Sequence, residues 1–111
     1  MAGMVDAQGR AWLAYWSFWS GIEMTQICLP SGKPAIAHPT PIGLVDRHVR
    51  PNAVEGSNIL PPRARYCVLA SLDFYCQGVN SSYGVVVRRS PGEAAVAARA
   101  SASDSCRRAY R

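Results

Sequence analysis

Lysine is almost missing from this 111-residue chain: Lys33 stands alone against eleven Arg. Histidine is scarce as well, with only His38 and His48, and no two of the four cysteines sit close together. Closely spaced pairs such as Cys-x2-Cys, through which one loop presents two donors to a zinc ion, are therefore absent. No metal site is expected. Large apolar side chains are few: Leu, Ile, Val and Phe number 23 of 111, while Ala alone supplies 16. That share lies just above the level of roughly 20% below which, given high net charge, disorder is the default reading. The composition supports a small core and substantial disorder. A long hydrophobic run is also lacking. The uncharged stretch 11–22 is twelve residues long, short of the roughly 18 that a membrane-spanning helix needs.

Catalytic motifs are missing too. Ser31-Gly32-Lys33-Pro34 has Ile27 and Pro34 where a phosphate loop needs Gly and Ser or Thr. There is no Gly-x-Ser-x-Gly elbow, and Asp46-Arg47-His48 offers only an acid and an imidazole near each other. No catalytic residue and no cofactor is assigned from the sequence, and a non-enzymatic protein is expected.

What is present falls into four segments. Residues 11–22 are rich in aromatics, and at 100° per residue Trp12, Tyr15, Trp16, Trp19 and Ile22 share an arc of about 120°. This spacing predicts an aromatic-striped helix. The stripe either docks into the domain's own core or serves as a membrane-surface or protein-partner face. As a signal peptide the segment is poor: Asp6 precedes it, Arg10 is the only basic residue before it, and no small-x-small site follows. Residues 30–62 hold seven of the eight prolines, each lacking an amide donor. This segment reads as irregular, with a short strand near 43–49.

Residues 64–76 place Ala64, Tyr66, Val68, Ala70, Leu72, Phe74 and Cys76 on one face at period two, and 83–88 reads as a second strand. A hairpin follows, with a turn over 77–82. Ser90-Pro91-Gly92-Glu93 has the form of a helix start and predicts a short Ala-rich helix over 91–100. Residues 101–111 read as a flexible basic tail. The expected architecture is a marginal, small α+β fold in a single domain at most.

Cys67 and Cys76 are nine residues apart. In a strand that is about 30 Å and in a helix about 13 Å, beyond the roughly 7 Å a disulfide bridges. They can pair only if the chain doubles back. Reduced thiols and an intracellular setting are the expectation. Asn80-Ser81-Ser82 matches the glycosylation acceptor pattern, which matters only in a secreted chain.

The net charge of +5 and the cluster Arg88, Arg89, Arg99, Arg107, Arg108 and Arg111 suggest contacts with a polyanion. Tyr110 could stack on a base. The leading functional expectation is electrostatic binding of RNA or DNA. The alternatives are membrane or partner binding through the 12–22 stripe, or a short open reading frame without selected function whose Arg content reflects GC-rich coding.

Overall fold

A computed structural model describes residues 2–60, 66–74 and 76–89. Among these residues there is no α-helix, only a 3-10 turn at Gly78–Asn80, and eight strands carry the fold. They are β1 (Ala2–Val5), β2 (Ala11–Ser17), β3 (Gly21–Cys28), β4 (Lys33–Pro34), β5 (Ile42–Val45), β6 (Val54–Leu60), β7 (Cys67–Leu72) and β8 (Gly84–Arg89). The first sheet runs β1-β2-β3-β4, with β5 also pairing on β3, and the second runs β6-β7-β8. Every pairing is antiparallel.

The α+β expectation is thereby corrected to an all-strand fold. The predicted helix over 11–22 is instead β2, a turn at 18–20 and the start of β3. The reason lies in the residues. Trp12 and Trp16 satisfy the helical spacing, but with Ala14 they also fall on one face at period two. β-branched and aromatic residues favour a pleated surface. Pairing of Trp12 with Gln26, Ala14 with Met24 and Trp16 with Ile22 then completes the hairpin. Gly21 closes the turn with φ 79°, and a Cβ there would run into the Val45 carbonyl oxygen.

The Pro-rich segment 30–62 is not irregular throughout, since β4, β5 and β6 lie in it. Pro30, Pro39, Pro41 and Pro51 stand between strands, and Pro34 sits on the two-residue strand β4. There a missing amide donor costs few ladder bonds. β7 lies within 64–76 and β8 overlaps 83–88, running one residue past it, with Val68 opposite Arg88 and Ala70 opposite Val86. The helix expected over 91–100 and the tail 101–111 lie outside the described residues.

The core lies between the two sheets. Trp12, Ala14 and Met24 of the first meet Ile59, Tyr66 and Val68 on the side of the second. A neighbouring cluster joins Ile22 to Val54 and Ala70. One polar group helps fix the first sheet. Asp6, buried in the β1–β2 turn, accepts bonds from the Gln8 and Arg10 amides, from Arg10 Nε at 2.7 Å and from Trp12 Nε1 at 2.9 Å. Burial alone would raise its pKa. The bonds from Trp12 and Arg10, with the Arg10 charge, outweigh that and hold it below the ordinary aspartate value.

Candidate functional site

Three chain segments distant in sequence meet at one end of the two sheets: the β2–β3 turn at 17–20, the β5–β6 connection at 46–53, and the end of β7 at 72–74. Asn52, only 2% exposed, is the junction. Its amide donates to the Phe18 carbonyl at 3.1 Å. Its side-chain nitrogen donates to Asp46 Oδ1 at 3.0 Å and to the Trp19 carbonyl at 3.5 Å, while its Oδ1 accepts from the Arg47 amide. The Asp73 amide donates to the Ala53 carbonyl, and Arg47 forms an ion pair with Asp73.

On this framework the turn presents aromatic side chains outward. Trp19 is 76% exposed, with Trp16 and Phe18 part-exposed beside it. Trp16 and Phe18 meet edge to face, with centroids 6.1 Å apart. A fixed indole face in solvent is a flat apolar platform.

The acidic groups differ in how they are engaged. Asp46 accepts the His48 amide at 2.7 Å, and its Oδ2 lies 3.4 Å from His48 Nδ1. The bond from the His48 amide, outweighing partial desolvation and aided by the His48 charge, Asn52 and Arg50, lowers its pKa. Asp73 is held by Arg47 and Asp6 by Arg10 and Trp12.

Glu55 differs from these three. It is half-buried at the start of β6, three residues beyond Asn52 and opposite Ser71, where the β6–β7 register is broken by a bulge. Its backbone is in the β6–β7 ladder, but its side chain makes no hydrogen bond or ion pair with another described residue. The next residue, Gly56, has φ 60° and lies near the Ser71 and Tyr83 hydroxyls. Glu23, the other described acid, lies across from Tyr15 and Gly43, on the opposite face of β3 from the buried Ile22 and Met24.

The residues singled out from sequence separate. Trp12 and Ile22 are core residues, 2% and 0% exposed. Tyr15 points to the other face of β2, and burial, then the Glu23 charge, raise its pKa. Trp16 and Trp19 both stay exposed at this end of the β2–β3 hairpin, Trp16 against Phe18. Arg88 and Arg89 are exposed on β8, opposite Val68 and Cys67. Arg99, Arg107, Arg108, Tyr110 and Arg111 lie outside the described residues. Glu55, Arg50 and Asn52 were not found from sequence because no local motif marks them. Arg50 and Asn52 stand out through contacts some thirty residues away, and Glu55 sits at a bulge that breaks the strand pattern. Among the described residues no three His, Cys, Asp or Glu converge as a metal site, and no helix is long and apolar enough to cross a membrane. Cys28 is disulfide-bonded, and Cys67 and Cys76 are free thiols.

No family model matches the chain. It is 35% identical over 88 residues to the extracellular endo-α-(1→5)-L-arabinanase 1 of Bacillus subtilis, covering 77% of this chain and 25% of that enzyme. Among solved structures it resembles the exo-1,5-α-L-arabinanase from a bovine ruminal metagenomic library, with a TM-score of 0.71 and 32% identity. That match covers 80% of this chain and 29% of the other. It also resembles the GH43 endo-arabinanase from Bacillus licheniformis, with a TM-score of 0.70 and 32% identity over 80% of this chain and 30% of that one. The chain thus spans about a quarter of the length of the curated relative, and its strands resemble a fragment of an arabinanase β-propeller.

These likenesses overturn the non-enzymatic reading and the assignment of RNA or DNA, or a membrane surface, as partner. The relatives are glycoside hydrolases. A reading frame arising by chance would not share both sequence and fold with them. The Arg count misled because charge constrains solubility and attraction to anions, and says nothing of fold.

Proposed function

We propose that this chain takes part in binding and hydrolysing α-1,5-linked arabinan. The observation that carries the reading is its joint likeness, in sequence and in fold, to arabinanases. The geometry supports it at two points. The Trp16–Phe18–Trp19 rim offers apolar faces on which the C–H face of a pentose ring can stack. Glu55 is a carboxyl without a described cationic partner beside that rim's supporting loop. Glycosidic cleavage commonly uses one carboxylic acid to protonate the departing oxygen and a second carboxylate across the bond, which either activates water or attacks the anomeric carbon. Glu55 takes the role of the proton donor in this reading.

The curated relative is extracellular, which favours secretion of this chain over the intracellular setting suggested by its thiols. Asn80, in the acceptor triplet, is exposed, as glycosylation of a secreted chain would need.

The test is to incubate the purified chain with linear α-1,5-arabinan and separate the released arabino-oligosaccharides by chromatography. Release is expected from the wild type, with a loss of about 10²-fold or more in Glu55→Gln. Undiminished release by Glu55→Gln would remove Glu55 from the role, and no release by the wild type would overturn the hydrolytic reading.

A further inference from the structure

Fixation of the aromatic turn exceeds what its own burial requires. Trp19 extends its ring into solvent, yet both of its main-chain groups are engaged. Its amide donates to Ser17 Oγ at 3.3 Å, and the Ser20 amide donates to the same oxygen at 3.0 Å. Ser17 and Ser20 also share a hydroxyl bond of 2.7 Å. The Trp19 carbonyl accepts from Arg50 Nη1 at 2.9 Å and from Asn52 Nδ2 at 3.5 Å. The Phe18 carbonyl accepts from the Asn52 amide at 3.1 Å and from Arg50 Nη1 at 3.4 Å. Arg50, an exposed cation, is thus directed onto two neutral carbonyls thirty residues away. Asn52, a buried amide, is directed onto the same pair.

Ordering a long side chain such as Arg costs rotamer entropy, and hydrogen bonds at the surface return little net stability. The arrangement gains nothing by burying the indole, which stays in solvent. What it does is restrict the direction in which the indole projects. A binding surface ordered before its ligand arrives avoids the ordering cost at the moment of binding.

We infer that Arg50 and Asn52 are positioning residues that pre-organise Trp19 as a sugar platform, acting through the Phe18 and Trp19 carbonyls. This deepens the arabinan reading and rests on it for the identity of the ligand, while the rigidity it requires is measurable without ligand. Arg50 serves as the primary probe because it is exposed and its replacement leaves the core intact.

The first arm measures nitrogen-15 relaxation of the Trp19 amide in the ligand-free full chain. An order parameter near about 0.85 is expected for the wild type and below about 0.6 for Arg50→Ala. The Ala14 amide, in β2, serves as an internal reference and should not change. An unchanged Trp19 value in Arg50→Ala would overturn the proposal. The second arm titrates α-1,5-arabinohexaose into wild type, Arg50→Ala, Trp19→Ala and the double variant by calorimetry. Arg50→Ala should weaken binding on the order of 5-fold, and that loss should vanish in the Trp19→Ala background, as expected for two residues acting as one unit. Equal losses in both backgrounds would show that Arg50 acts independently of Trp19, which contradicts the inference. Absence of binding by the wild type would count against the arabinan reading, leaving the relaxation result to decide the positioning role.

Discussion

Asp6 shows at the residue scale how a single carboxylate can hold a turn. Its two oxygens accept four donors, one of them the indole N–H of the buried Trp12. Replacing Asp6 by Ala strands those donors and should cost about 3 kcal/mol, read as a fall in urea midpoint at constant slope. Because its pKa is lowered in the fold, its contribution is complete above the ordinary aspartate value and declines as pH falls through the lower, folded one. Wild-type stability should therefore drop on acidification below about pH 4, and Asp6→Asn should flatten that part of the curve. Similar slopes in the two proteins would refute the assignment. Other residues were only partly legible in the sequence. Trp16 and Trp19 stood out by type, but Trp12 and Ile22 share that prominence and lie in the core. Nothing local distinguishes an indole that packs from one that projects, because burial depends on which strand lies opposite.

At the scale of elements, the 11–28 hairpin explains why sequence reading chose a helix. A pattern of aromatics at 12, 15, 16 and 19 satisfies a period of 3.6, whereas the strand sets 12, 14 and 16 on one face, turns Tyr15 to the other and leaves Trp19 to the turn. The deciding residue is Gly21, whose positive φ and contact with the Val45 carbonyl belong to a chain reversal. Gly21→Ala should cost about 3 kcal/mol, since the turn must open or β5 must move. A thermal scan showing no loss would mean the β3–β5 contact is not needed. The alternation in 66–72 was plain because Tyr66, Val68 and Ala70 all face the core. β6 was hidden by its bulge, where Gly56 and the broken register between Glu55 and Asn58 interrupt the period of two. Glu55 was hidden with it.

On the scale of the whole molecule, two sheets sparing in large side chains hold together by sharing them. Trp12 contributes to the cluster that joins both sheets, so Trp12→Ala should remove about 3–5 kcal/mol and unfold the two sheets in one transition. Separate melting of two units, read by strand circular dichroism and by Tyr66 fluorescence, would contradict a shared core. The same association brings the 17–20 turn, the 46–53 loop and the start of β6 to one end, and the functional account depends on that end. Arabinan recognition is proposed for this surface. The most direct measurement is the mobility of the intact chain in native gels cast with linear α-1,5-arabinan, beside gels cast with a neutral glucan. Retardation by arabinan alone, reduced in Trp19→Ala, is expected. Equal mobility in the two kinds of gel, for a chain whose circular dichroism shows it folded, would rule out arabinan recognition at this end.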